Sequence, residues 1–290
     1  MTLLAIANQL VLGLSTASIY VLVSLGLTMI FGMMNVLNFT HGVLYALGAY
    51  FGYLFVKLSG NFWVALAAAP VAVAALGILI ERISIRPLAD RPHLIQFLAT
   101  FALALIIEQL IRLVAGNDAY PVALPVGLTQ PVSVGGVTVP SYRVFVILVA
   151  LLVCIGLGAL LAFSRAGIMI RATSEDPEMA ALLRVDTASV STMVFAGGSA
   201  LAALGGVLAA PVFSVHPSMG EELITSAFLI ATAGGLGSLR GTLVAAIILG
   251  EASSLGLLAV GKFSDVLTIA IMATLFLAWP TGIFGRAELR

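Results

Sequence analysis

Residues 1–56 read MTLLAIANQLVLGLSTASIYVLVSLGLTMIFGMMNVLNFTHGVLYALGAYFGYLFV, and no Asp, Glu, Lys or Arg interrupts them before Lys57. A helix rises about 1.5 Å per residue, so about 20 apolar residues cross a hydrocarbon core about 30 Å thick. This opening run is therefore long enough for two crossings. Further charge-free runs follow at Leu58–Ile80, Pro92–Ile107, Val144–Ser164, Thr187–Gly220, Leu223–Leu239 and Val266–Gly285. They are continuous and rich in Leu, Ala, Val and Ile, without the two-residue alternation of a barrel strand. Only helices or closed barrels satisfy their backbone polar groups in lipid. The expectation is an all-α polytopic membrane protein forming a single integral membrane domain over residues 1–290. Its spans fall near 8–32, 38–57, 62–81, 94–114, 143–163, 190–212, 222–238, 241–260 and 263–281. The pair 222–238 and 241–260 reads either as two short helices or as one span plus a re-entrant half, which gives eight or nine membrane segments.

Composition supports this class. Of 290 residues, 61% are hydrophobic and 9% charged, against roughly 25% charged in soluble domains. So few charges cannot cover a water-exposed surface, and the chain is too apolar to be disordered. Thirteen basic residues balance thirteen acidic ones, so nothing suggests a nucleic-acid partner. Cys154 stands alone, which excludes an intramolecular disulfide and a cysteine-rich metal site. The first helix is expected to act as its own insertion signal, without a cleavable signal peptide, because no basic segment precedes it.

Arginine sets the orientation. Arg82, Arg86 and Arg91 cluster between two spans, Arg165, Arg171 and Arg184 between another two, and Arg286 and Arg290 close the chain. By the positive-inside rule these regions are cytoplasmic. With nine crossings Arg240 joins them, Lys57, Arg112, Arg143 and Lys262 fall outside, and the N-terminus lies outside. With eight crossings the N-terminus moves inside, and the uncharged opening run does not decide between the two.

Two loops are long. In 116–142, Pro121, Pro125, Pro131 and Pro140 forbid a long helix. Val132-Ser133-Val134 and Val137-Thr138-Val139 alternate around Gly135-Gly136, a hairpin signal. This loop reads as a lid on the bundle or as a docking surface for an external partner. In 164–190, Asp176 suits an N-cap and Pro177 the first helical position. Glu175, Asp176 and Glu178 complement the positive start of that helix, and Arg184 its end. Met179, Leu182 and Leu183 recur at helical spacing, with Ala180 between them, and make an apolar face. A helix lying on lipid headgroups would favour basic residues on its polar side. This one begins acidic and suits a groove in another protein.

The spans also carry neutral polar groups. Asn35, Asn38, Thr40 and His41 lie at the junction of the first two. They read as a capped turn, with Asn38 the N-cap of the second helix, or as the lining of a path. His41 has no second His or carboxylate at metal spacing, so no metal is expected. Gly48 and Gly52, and Gly237 and Gly241, are small-xxx-small pairs that let helices approach. The run Gly234-Gly-Leu-Gly237-Ser238-Leu-Arg240-Gly241 is expected to break a helix, and Gly237 and Ser238 are candidate path residues. Within the spans, Glu108 has Arg112 at i+4 as an ion-pair partner. Glu251 has no local partner; it faces a water-filled path, pairs with Arg240 across a break, or caps an outer vestibule. Gly256 to Phe263 nearly spells a phosphate-binding loop, but Phe263 replaces the required Ser or Thr and no strand precedes it.

Taken together, Asn35-Val-Leu-Asn38-Phe-Thr40-His41-Gly42 followed by Gly48-Ala-Tyr50, the stretch Arg171-Ala-Thr-Ser-Glu175-Asp176-Pro-Glu178-Met179-Ala180-Ala-Leu182-Leu183, and the glycine run 234–241 resemble the branched-chain amino-acid ABC transporter permeases of the LivH type. The similarity extends along nearly the whole chain. One departure stands out: Arg184 occupies a position where many relatives have glycine. The resemblance implies a bacterial inner-membrane subunit with no ATPase site or cofactor of its own, ATP being bound by partners. Those partners would be a second homologous permease, two cytoplasmic ATPases gripping 175–183, a periplasmic binding protein above, and membrane lipid. It implies alternating access, with the aliphatic amino acid selected mainly by the binding protein. Relatives with similar permeases resemble urea or amide importers. An ion-gradient carrier built around Glu251 is the rival from another class.

Overall fold

The structure is a computed structural model that describes residues 3–89, 91–134 and 136–285. It is helical as expected. In chain order the helices are α1 (Leu3–Met34), α2 (Thr40–Ser59), α3 (Phe62–Ile80), α4 (His93–Ala115), α5 (Ser141–Phe163), α6 (Arg165–Glu175), α7 (Pro177–Leu182), α8 (Thr187–Phe213), α9 (Met219–Gly234), α10 (Leu239–Val260) and α11 (Ser264–Ala278). Strands β1 (Pro131–Val134) and β2 (Val137–Pro140) form the one antiparallel hairpin among the described residues, with Val134 opposite Val137. That is the turn expected at Gly135-Gly136; Gly136 takes a positive φ of 86°, a conformation glycine adopts without a Cβ clash.

All nine apolar segments form helices, and seven are long and apolar enough to cross a membrane. The exceptions are α9, with 16 residues, and α11, with 15; at about 1.5 Å per residue neither reaches 30 Å. The uncertain pair is thus resolved: α10 is one continuous helix and α9 is a short one. The break between them falls in the glycine run, where Gly235 (φ 99°) and Gly237 (φ 83°) turn the chain.

α1 and α8 form the centre. Of their most apolar windows, 67% and 72% is buried, against 11% for α5, which leaves α5 on the outside of the bundle. Glycine brings the central helices together. A Cβ on Gly26 would lie 2.6 Å from the Gly198 carbonyl oxygen, and Gly48 abuts the backbone of Ala203. Some buried polar groups find partners across helices: Thr28 and Thr242 hydroxyls bond at 2.8 Å, and Tyr142 donates to the Leu208 carbonyl at 3.0 Å.

The ends of the bundle settle the direction of the chain. Leu4 at the start of α1 packs against Gly136 of the hairpin, so residue 4 lies at the end that carries the 116–140 loop. Gly235 packs against Phe284 and Gly285 at the opposite end, beside Gly237, which meets Gly32 near the end of α1. The N-terminal and C-terminal parts of the described chain therefore sit at opposite ends, which an odd number of crossings requires and the eight-crossing reading does not allow. Arg286 and Arg290 lie outside the described residues.

Candidate functional site

At the arginine-rich end, α6 and α7 form a corner outside the bundle. Ser164 caps α6 by accepting from the Gly167 N–H at 2.9 Å, and Ile170 and Thr173 turn inward and are buried. Asp176 caps α7 by accepting from the Met179 N–H at 2.8 Å, with Pro177 in the first helical position. Among the α7 side chains only Ala180 is buried. Met179, Leu182 and Leu183 are 52%, 78% and 72% exposed, so the apolar face points away from the protein. Glu178 and Asp176 are exposed beside it, as is Glu175 at the end of α6.

Arg184 explains how this corner closes. Its φ is 63°, the left-handed conformation in which helices end and which glycine takes most easily. Its N–H donates to the Ala181 carbonyl and the next N–H, of Val185, reaches back to Ala180, both at 3.0 Å. That pair of bonds is the Schellman closure, made here without glycine. Asp186 then caps α8, accepting from the Ser189 N–H at 3.1 Å and from its hydroxyl; these bonds hold its carboxyl below the usual range.

The junction of α1 and α2 is more unusual. α1 ends at Met34, Asn35 turns the chain with φ 51°, and α2 begins only at Thr40. His41 then lies beside Gly26, eight residues back along α1, or about 12 Å above its end. Residues 36–38 therefore climb back into the bundle outside any helix, and Phe39, already in helical conformation, leads into α2. Asn35 is exposed, Asn38 completely buried. Asn38 is not the N-cap expected: Phe39 occupies that position, and neither amide atom of Asn38 has a partner. Its neighbours anchor the turn. Thr40 donates to the Thr100 carbonyl and Thr100 to the Leu37 carbonyl, each at 3.0 Å, and His41 Nε2 lies 2.9 Å from the Val23 carbonyl oxygen. Ser238 accepts from the Gly241 N–H as the cap of α10, and Gly237 rests on the Cα of Gly32.

A second re-entry faces this one. After α8, Val215 pairs with Tyr120 of the outer loop through two backbone bonds of 2.8 and 2.9 Å, and the Tyr120 and Tyr53 rings lie 4.9 Å apart. Five residues later Gly220 touches Gly42: a Cβ on either would lie 2.5 Å from the other's carbonyl oxygen. Gly42 is eleven residues below Tyr53 on α2, about 16 Å. The chain thus descends to mid-depth before α9 begins. Its first turn carries Glu221 and Glu222, both exposed. Glu221, Gly220 and Ile224 line a small cleft with Phe39, Gly42 and Val43 of the first re-entry and Phe101 and Glu108 of α4. Phe39 stacks on Phe228 at 4.4 Å and meets Phe97 edge-on at 4.8 Å. Glu108 is paired with Arg112 at 2.6 Å as expected. Glu222 is 3.4 Å from His216 Nε2.

A charge in the bilayer centre is costly against acyl chains, so Glu221 and Glu222 belong beside water or protein. The sequence carried a signal for them, two adjacent acids opening a short apolar run, but no sign of their depth. Glu251 does not pair with Arg240: both stand on the unbroken α10, eleven residues and about 16 Å apart. It abuts Gly13 of α1, its Oε2 without a partner, next to the reciprocal 2.8 Å bonds between Gln9 and Ser254. Gly256 to Phe263 is the end of α10 and one tight turn, with no strand before it.

A corner with an outward apolar face, beneath two re-entrant segments meeting at mid-depth, belongs to a transport subunit, and comparison with known proteins agrees. The family described as "Branched-chain amino acid transport system / permease component" matches residues 9–278. The chain belongs to this family. It is 30% identical to the high-affinity branched-chain amino acid transport system permease protein BraD of Pseudomonas aeruginosa, over 97% of this chain and 96% of that one. Identity to the permease protein LivH of Escherichia coli is also 30%, with the same coverage. A probable LivH of Methanocaldococcus jannaschii is 29% identical over 93% of this chain and 89% of its own. No solved structure matches.

Proposed function

We propose that this chain is the membrane-spanning subunit of an ATP-driven importer of branched-chain aliphatic amino acids in the bacterial inner membrane. It works beside a second, homologous permease. Two separate ATPases grip α7 from the cytosol, and a periplasmic binding protein delivers cargo to the face formed by the 116–140 loop. The chain binds no nucleotide and no cofactor itself.

The observation that carries this reading is α7. A six-residue helix on the cytoplasmic end is capped at both ends, yet with the following residue, Leu183, it holds three large apolar side chains in solvent. Such a face is what a partner's groove would cover. The cargo is inferred from the relatives, which are permeases for branched-chain amino acids. The lining fits it: Phe39, Val43, Phe101 and Ile224 suit an aliphatic side chain, and Glu221 meets an ammonium group. Asn35, Gly237 and Ser238 border the inner mouth, while Asn38, Thr40 and His41 stand behind the wall and fix its shape. ATP-driven closure of the ATPases pulls α7, rocks the bundle, and opens the path to one side at a time.

The test is uptake of labelled leucine, isoleucine and urea by the complete complex in liposomes holding ATP. Saturable import of leucine and isoleucine but not urea is expected. Import of urea alone would transfer the chain to the amide branch of the family.

A further inference from the structure

Movement of α7 is useful only if it reaches the path, and four residues separate α7 from α8 (residues 183–186). The Schellman closure at Arg184 and the Asp186 cap make this connector stiff, so α7 acts on the first turns of α8. Those turns are held from the side by an ionic network in which Glu81 and Thr192 are buried and Arg86 reaches in from the surface. Glu81, fully buried, stands where the inner end of α3 loosens into a wider π turn, Glu81–Ile85. Arg86 Nε and Nη2 donate to its two oxygens, each at 3.0 Å. The same Nη2, with two hydrogens to share, also lies 3.0 Å from the Ala188 carbonyl oxygen and within hydrogen-bond reach of the Thr192 hydroxyl. Thr192 in turn lies 3.0 Å from Glu81 Oε2 and 3.0 Å from the Ala188 carbonyl oxygen. One turn above Glu81, Gly77 packs directly on Ser199 and Phe195, so α3 and α8 meet without a gap.

The geometry points to Glu81, Arg86 and Thr192 as the joint through which displacement of the α7–α8 corner is passed to α3; this rests on the ATP-driven transport reading. The Thr192 hydroxyl is central because it can accept from Arg86 while donating to Glu81. Valine, which has the same shape without the hydroxyl, can do neither. The π turn beside Glu81 gives α3 a compliant end, so without the clamp α8 slides past it. α8 also packs on α1 and α2, which puts α3 in register with the core once the joint holds. These are positioning residues; none of them lines the cleft at α9.

The experiment compares the wild-type complex with Thr192→Val and Thr192→Ser variants in liposomes, each normalised to assembled complex. Thr192→Val should retain the ATPases and hydrolyse ATP while import per ATP falls about tenfold, the value of one hydrogen bond to a charged group. Thr192→Ser should restore the wild-type ratio. Arg86→Lys keeps a charge beside Glu81 but loses the fork that bridges both helices, and should uncouple in the same way. An unchanged import-to-ATP ratio in both Thr192→Val and Arg86→Lys, or failure of Thr192→Ser to restore it, overturns the joint. So does a loss of import and hydrolysis in step with lost assembly, which marks a merely structural role. No ATP-dependent import by the wild type overturns the transport reading beneath it.

Discussion

The α7 face allows a quantitative prediction. Replacing Met179 and Leu183 with Asp removes two apolar side chains that are 52% and 72% exposed in this chain. Full burial of such a side chain is worth about 1.5–3 kcal/mol. Scaling by the exposed fractions, a groove that covers both gains about 2–4 kcal/mol per site. Losing it weakens ATPase binding ~30- to ~900-fold, before counting two carboxylates forced against an apolar groove. Neither side chain belongs to the bundle core, so the membrane fold should survive. The assay is retention of the ATPases when the tagged permease is purified in mild detergent, with thermal unfolding of the permease followed alongside. Loss of the ATPases with unchanged unfolding is expected. Full retention at dilutions that strip a weakened complex would refute the assignment of α7 as the handle.

Further consequences follow from particular residues. Arg184→Gly should stabilise the corner by about 1 kcal/mol, since a side chain in the left-handed region costs about that much; hydrogen exchange at Val185 would report it. Arg112→Met strands the buried Glu108 carboxylate and should cost about 3–5 kcal/mol, whereas the double variant with Glu108→Gln should regain most of it; thermal melts of the three proteins decide. Gly42→Leu must push apart the α2 and α9 backbones and should abolish assembly of a stable permease, read as loss of the monodisperse peak on gel filtration. The Asp186 cap has a depressed carboxyl, so its contribution is complete above the ordinary value near 3.8 and fades as pH falls through the lower folded value. The protection of the Ser189 amide relative to its intrinsic exchange rate should therefore hold down to about pH 4 and fall below it, and Asp186→Asn should remove that dependence.

Much of this fold could be read from charge spacing, because each interruption of an apolar run marks a place where the chain leaves the bilayer. Asp176 and Pro177 announced α7, Gly135-Gly136 the hairpin, and Glu108 with Arg112 an ion pair, since all are local signals. What local patterns do not carry is depth. Nothing in residues 35–39 or 214–220 distinguishes a surface turn from chain folded back to mid-bilayer, so the expected Asn38 cap missed the first re-entry, and the re-entrant half allowed for the pair 222–238 and 241–260 stood beside two short helices with nothing local to choose between them. Contacts between remote segments were equally hidden: Glu81 and Thr192 are 111 residues apart, and Arg86 read only as one more inside-facing arginine. Glu251 was visible as an oddity, but the continuity of α10 that separates it from Arg240 was not.

The central proposition is that this polypeptide moves cargo only under power from a separate nucleotide-hydrolysing partner. Its most direct test places the permease pair in sealed vesicles, with and without the ATPases, and follows labelled leucine from the binding protein into the lumen. Accumulation that needs the ATPases and hydrolysable ATP, and survives collapse of proton and sodium gradients, is the predicted result. Uphill accumulation without the ATPases, abolished by dissipating an ion gradient, would contradict it.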